Sequence, residues 1–246
     1  MVSEIRRFGP DPGILAWARA ARAPAVTALK ASKEPLRCGN TWAVGLDLLP
    51  NDSEGSVDGV PLPRNLFGLP PLALHRAQIS AVYPGYPLPS AQESPSAFAF
   101  RRDRDAAHLD GLLPIGPARH RMVKEPHAFI LGLGLTECDA GAAPLVVWPG
   151  SAAILRAALA KALAPYPPED WGDVDVTEVY QAARAKVFRT CPRVPVPLQP
   201  GEAVLLNRHV LHGVAPWEDS ATAAPEGRIT AWFRPVLGSV AEWLAA

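Results

Sequence analysis

The sequence predicts a mainly β fold with flanking helices, and three observations carry that expectation. The chain is rich in turn formers, with 28 prolines and 19 glycines among 246 residues, which favours many short strands over a helical bundle. Several apolar runs bounded by glycine or proline have the length and β-branched content of strands. Hydrophobic residues make up 48% of the chain, enough to bury a substantial core in one domain.

The elements follow in order. Pro12 to Ala31 is alanine-rich, with leucine, tryptophan and valine at helical spacing; Pro24 inside it predicts two shorter helices rather than one. Thr41 to Leu49 reads as a strand pair or edge, and Asn51 to Pro71 as a polar connection punctuated by glycine and proline. Ala77 to Tyr83 alternates as a strand, and Pro84-Gly85 ends it. Pro87 to Ser96 reads as a loop, and Ala97 to Arg104 as a strand entering the His108 region. His127 to Leu135 and Pro144 to Trp148 read as buried strands, the second closed by Pro149-Gly150. Ala152 to Leu163 and Val176 to Val187 carry helical patterns. Strands resume at Val194 to Leu198 and, after a turn at Gln199 to Glu202, at Ala203 to Leu206. Gly227 to Phe233 is the last strand, and Val240 to Leu244 a terminal helical turn. The expectation is a single domain over residues 1–246, a sandwich or barrel with N-terminal helices (about 1–35) and a helical insertion (about 152–190).

Charge and cysteine content narrow the function. Lysine plus arginine equals aspartate plus glutamate at 24 each, which argues against a nucleic-acid or anionic-membrane partner. No apolar run reaches the roughly 18–20 residues needed to span a bilayer. The stretch MVSEIRRFGPDPG lacks the apolar core of a secretory signal. Cys38, Cys138 and Cys191 are widely spaced and suggest neither a zinc site nor a disulfide framework, so free thiols in a cytoplasmic protein are expected.

The chemistry concentrates in His108-Leu109-Asp110, followed far downstream by His212 and Arg228. On a strand, His108 and Asp110 share one face and Leu109 points away. With a distant second histidine they form the two-His-one-carboxylate face typical of non-haem Fe(II) oxygenases. A jelly roll unites such distant residues at its mouth. The same ligand types also bind other divalent metals, and His-x-Asp alone arises often by chance. Arg228 and Thr230 share a strand face, where a guanidinium and a hydroxyl can together hold a carboxylate. Arg234 competes with Arg228 for that role, and His209 competes with His212 as third ligand.

The ordered set resembles the Fe(II)- and 2-oxoglutarate-dependent dioxygenases, especially the phytanoyl-CoA dioxygenase-like branch, over roughly Ala77 to Pro235. The resemblance rests on His108-Leu-Asp110-Gly111, Pro144-Leu-Val-Val-Trp-Pro-Gly-Ser151, Pro200-Gly-Glu202, His212-Gly213 and Arg228-Ile-Thr230. It implies a double-stranded β-helix (jelly roll, cupin-like). It implies catalytic Fe(II) on His108, Asp110 and His212, rather than His209, and 2-oxoglutarate held by Arg228 with Thr230. Molecular oxygen and a small organic substrate would complete the reaction, a hydroxylation with succinate and carbon dioxide as co-products. The pattern departs from the family at Ala152, where a histidine often follows the Pro-Gly-Ser.

Around this set, Tyr83 is a candidate contact to 2-oxoglutarate or a pocket wall, and Trp148 and Trp232 belong to core or pocket. Arg101, Arg102, Arg104, Arg119 and Arg121 are candidates to hold an anionic substrate or to be solvated charges. His75, His120 and His127 read as structural. Two other functions keep part of the pattern. A cupin-like isomerase or hydrolase would not need Arg228, and a non-catalytic binding protein would keep only the fold.

Overall fold

The computed structural model describes residues 4–90 and 93–245. In chain order its elements are β1 (Ile5–Phe8), α1 (Pro12–Ala31), β2 (Trp42–Asp47), α2 (Arg64–Phe67), β3 (Gln78–Val82), α3 (Pro95–Asp103), β4 (Leu112–Ile115), β5 (His120–Val123), β6 (Phe129–Gly134) and β7 (Leu145–Val147). There follow α4 (Ser151–Leu163), a 3-10 segment (Pro168–Asp173), α5 (Thr177–Thr190), β8 (Val194–Val196), β9 (Ala203–Asn207), β10 (His212–Val214), β11 (Arg228–Phe233) and α6 (Val240–Leu244).

The strands form two stacked antiparallel sheets and a separate β4–β5 hairpin. The larger sheet runs β1-β9-β6-β11-β3-β2, and the smaller runs β10-β7-β8. A single bridge from His108 to His212 adds a further rung beside β10. This is the double-stranded β-helix expected from the sequence, with helices outside both sheets.

Alternation along the strands builds the layers, because successive side chains point to opposite faces. On β11, Ile229, Ala231 and Phe233 join an outer core with Ile79 and Ala81 of β3, Leu131 and Leu133 of β6, and Ile14 and Trp17 of α1. Arg228, Thr230 and Trp232 point the other way, between the sheets. There Ile130, Val204 and Leu206 of the larger sheet meet Leu145, Val147 and Val196 of the smaller. Beyond the smaller sheet, Val146 and Leu211 pack with Leu155 and Leu159 of α4, Tyr180 of α5 and Trp243 of α6.

Two expectations about the helices fail. Pro24 does not split the first helix. Asp11 caps α1 by accepting from the Gly13 and Ile14 N–H groups, and the helix runs on to Ala31. Its buried stripe, Ile14, Trp17, Ala18, Ala21 and Ala25, passes on both sides of Pro24, so packing on the sheet offsets the backbone hydrogen bond lost there. The stretch Ala97 to Arg104 is not a strand but lies almost wholly within α3. Ser94 accepts from the Ala97 N–H and Pro95 occupies the first turn, a helix start that Phe98 and Phe100 had masked by imitating strand alternation. The loop expected over Pro87 to Ser96 includes Ala91 and Gln92, which lie outside the described residues. No described helix is long and apolar enough to cross a membrane.

Candidate metal centre and its cavity

His108, Asp110 and His212 converge, their potential ligand atoms all lying within 4.8 Å of one another. The expected strand face is not what brings His108 and Asp110 together. His108 makes the bridge to β10, and the chain turns directly after Leu109. Gly111 makes that turn possible. Its φ of +90° suits glycine, and a β-carbon there would collide with the Glu125 carbonyl. Asp110 is thereby folded back toward the histidines, with Oδ1 3.2 Å from His108 Nε2 and 3.7 Å from His212 Nε2.

Both imidazoles are oriented from behind. His108 Nδ1 lies 3.0 Å from the Ala106 carbonyl and His212 Nδ1 2.9 Å from the Val210 carbonyl. Each Nδ1–H donating to its carbonyl leaves the Nε2 lone pair directed at the centre, the tautomer a metal requires. Gly213 lets β10 approach the Asp105 backbone so closely that a β-carbon would not fit.

The electrostatics favour an ionised carboxylate. Burial opposes charge on Asp110, yet His212, Arg234 and the His108 hydrogen bond hold its carboxyl well below the usual range. Burial also works against a charged His212, and the Asp110 carboxylate outweighs it, raising the imidazole above its ordinary value. A divalent cation would replace that proton against the same carboxylate.

The three residues open on a cavity of about 140 Å³ between the sheets. Arg228 and Thr230 of β11 line it, with Ser80 and Gln78 of β3 and Trp42 of β2. Arg228 is buried, its Nε has no hydrogen-bond partner, and among the described residues it makes no ion pair. Burial pulls its pKa down to about 10. An unpaired charge in such a place is costly, and an anion in the cavity would offset that cost. Thr230 accepts from Trp232 Nε1 at 2.8 Å and Ser80 accepts from Trp42 Nε1 at 2.9 Å. The two residues are cross-strand partners, and each hydroxyl keeps its own O–H to donate. Gly132 of β6 leaves the space that the Trp232 ring occupies.

Other sequence candidates fall elsewhere. Tyr83 packs on the outer core and is not among the cavity-lining residues, because it lies out of phase with Gln78, Ser80 and Val82. His209, the rival ligand, is 1% exposed and packs edge-on against Trp243 with ring centroids 4.4 Å apart. Burial, with Arg208 and Arg156 nearby, lowers its pKa to about 3. None of the five arginines near His108 in sequence lines the cavity. Arg101 pairs with Glu93 at 2.7 Å, Arg102 pairs with Asp103 at 2.7 Å, and Arg104 lies over the Phe188 ring. Arg121 donates to the Leu112 carbonyl, and Arg119 is exposed. Trp148 belongs to the core under α4 and α5.

Sequence reasoning missed Gln78 and Ser80, and it weighed Arg234 only as the rival of Arg228. The signal for the first two was present, as polar residues at alternate positions of an otherwise apolar strand. Arg234 donates from Nη1 to Asp110 Oδ2 at 2.7 Å and from Nη2 to Gln78 Oε1.

No family model matches the chain, and no curated protein matches it. Among solved structures it is similar to the non-haem α-ketoglutarate-dependent carbocyclase SnoK from nogalamycin biosynthesis, with 16% identity and a TM-score of 0.46 over 94% of this chain and 79% of that one. It is similar to the epimerase SnoN in complex with Fe3+, α-ketoglutarate and nogalamycin RO, with 16% identity, a TM-score of 0.45 and the same 94% and 79% coverage. AviO1 from Streptomyces viridochromogenes Tue57 shares 18% identity at a TM-score of 0.38, over 96% of this chain and 93% of that one.

Proposed function

We propose that the chain is an Fe(II)- and 2-oxoglutarate-dependent oxygenase that hydroxylates a small organic substrate. The observation that carries this reading is a two-His-one-carboxylate cluster and a buried, unpaired arginine opening on one cavity. The donor set suits Fe(II), with two neutral nitrogens and one carboxylate oxygen. When bound, the metal and 2-oxoglutarate together supply oxidising power from molecular oxygen, leaving succinate and carbon dioxide.

The protein's own part is placement. The Ala106 and Val210 carbonyls hold the imidazoles with Nε2 toward the metal. Arg228 receives the distal carboxylate of 2-oxoglutarate through its fork of N–H donors, and the Thr230 hydroxyl donates beside it. Val44, Ile130, Leu145, Val214 and the rings of Trp42 and Trp232 make the rest of the wall largely apolar, which limits water around the reacting groups. An isomerase or hydrolase using the same metal would leave Arg228 without a ligand. Three unpaired thiols accompany a cytoplasmic location in this reading.

The test is 2-oxoglutarate turnover. Iron-loaded protein under air should convert 2-oxoglutarate to succinate, slowly alone and faster with a substrate. Bound iron with neither 2-oxoglutarate binding nor succinate formation would return the protein to the isomerase or hydrolase class.

A further inference from the structure

The two oxygens of Asp110 are in different hands. Oδ1 faces both histidine Nε2 atoms, whereas Oδ2 accepts the 2.7 Å hydrogen bond from Arg234 Nη1. Arg234 lies just past the end of β11, between that strand and the isolated His127–Val236 bridge, and it is anchored on three further sides. Its Nη2 donates to Gln78 Oε1, its backbone N–H donates to His75 Nε2 at 2.7 Å, and its carbonyl lies 2.9 Å from His127 Nδ1. His75 Nδ1 is 2.6 Å from the Arg76 carbonyl, so donation there leaves Nε2 as the acceptor that Arg234 needs. These contacts commit both terminal nitrogens of Arg234 to groups of the protein itself.

We propose that Arg234 is a positioning residue that confines Asp110 to one metal-binding oxygen. The inference rests on the metal reading above and adds to it a role for a residue outside the ligand set. A carboxylate can bind a cation through one oxygen or two. With one, two histidines and Asp110 leave three of six octahedral positions open; with both, they leave two. A co-substrate that chelates through two atoms would then leave one position in the first case and none in the second. By occupying Oδ2, Arg234 keeps that last position free.

The experiment uses the full chain loaded with Mn(II) alone, with bound water counted by proton relaxation enhancement. Wild type should hold three exchangeable waters and Arg234→Gln two, so relaxivity per bound Mn(II) should fall by about one third. Adding 2-oxoglutarate should leave one water in wild type and almost none in the variant. Arg234→Lys, which keeps the charge and a donor, should recover most of the difference. A general loss of packing would not distinguish lysine from glutamine in this way. Equal water numbers in wild type and Arg234→Gln overturn the proposal while leaving the metal centre standing. Failure of wild type to bind Mn(II) at all overturns both. Should Arg234→Gln not fold, X-ray absorption on the wild-type Mn(II) protein decides: a singly bound carboxylate supports the role, and a doubly bound one refutes it.

Discussion

Arg228 and Arg234 stand at opposite ends of the same strand and line the same cavity, but their surroundings differ. Arg228 is buried without an ion-pair partner among the described residues, and burial lowers its pKa. Arg234 is engaged by Asp110 and Gln78 at its two terminal nitrogens, and its Nε alone is buried without a partner. A cation held ready for a ligand is recognised by its missing partner, and a cation that organises the site by its occupied one. Either could have been the carboxylate anchor from sequence alone. The difference between them arises from which chain-distant group each one meets.

The strongest way to break this comparison is to remove the centre that both arginines serve. His212→Ala should abolish Fe(II) binding and every metal-dependent readout, whereas His209→Ala should leave measurable Fe(II) binding, because His209 faces Trp243 instead. An equilibrium metal titration of the two variants checks this, and the reverse result would move the third ligand to His209.

The next effect sharpens the contrast between the arginines. Losing one partner of a buried charge pair typically costs about 2–5 kcal/mol, roughly 30- to several-thousand-fold in affinity. Arg228→Ala should therefore weaken 2-oxoglutarate binding by at least about tenfold while Fe(II) binding stays near wild type. Arg228→Lys should rescue only partly, since lysine lacks the two-pronged fork. Anaerobic titration of 2-oxoglutarate into the iron-loaded variants measures it, and an unchanged affinity in Arg228→Ala would remove Arg228 from the site.

The two histidines near β10 give a smaller, pH-dependent contrast. His209 has a folded pKa of about 3 against an ordinary 6.5, so between those values the unfolded chain takes up a proton that the folded protein refuses. Its contribution to stability is therefore complete above about pH 6.5 and declines as pH falls, by about 1.4 kcal/mol for each pH unit. His209→Leu should flatten the acid slope of unfolding free energy by about that amount in denaturant titrations. Equal slopes in variant and wild type would show that His209 is not held neutral.

The smallest effect is a count. Titration of unfolded, unreduced protein should find all three thiols free, matching the unpaired Cys38, Cys138 and Cys191 of the fold. A stable disulfide would contradict both that state and the proposed compartment.

Long elements were legible because their periodicity is local. The strands at Ala77 to Tyr83, His127 to Leu135 and Gly227 to Phe233, and the helices after Trp148, carry enough repeats to declare their period. β1, β4, β5 and β10 are three or four residues long, too short for a pattern, and exist because neighbours supply their hydrogen bonds. Phe98 and Phe100 pointed to a strand while Ser94-Pro95 signalled a helix start, and the capping geometry prevailed.

The site divides in the same way. Residue types and alternation along the chain determined that Arg228 and Thr230 share a face of β11, and that two histidines and an aspartate were available as ligands. The spacing of His108 and Asp110 suggested a shared strand face, but the turn at Gly111, where a β-carbon would collide with the Glu125 carbonyl, is what points Asp110 at both histidines. The motif resemblance favoured His212 over His209, but only the tertiary structure put His209 against Trp243, gave Arg234 its carboxylate and left Arg228 without one. Those outcomes depend on sheet register and burial, which decide what a side chain meets across the fold, whereas sequence periodicity decides only which way it faces.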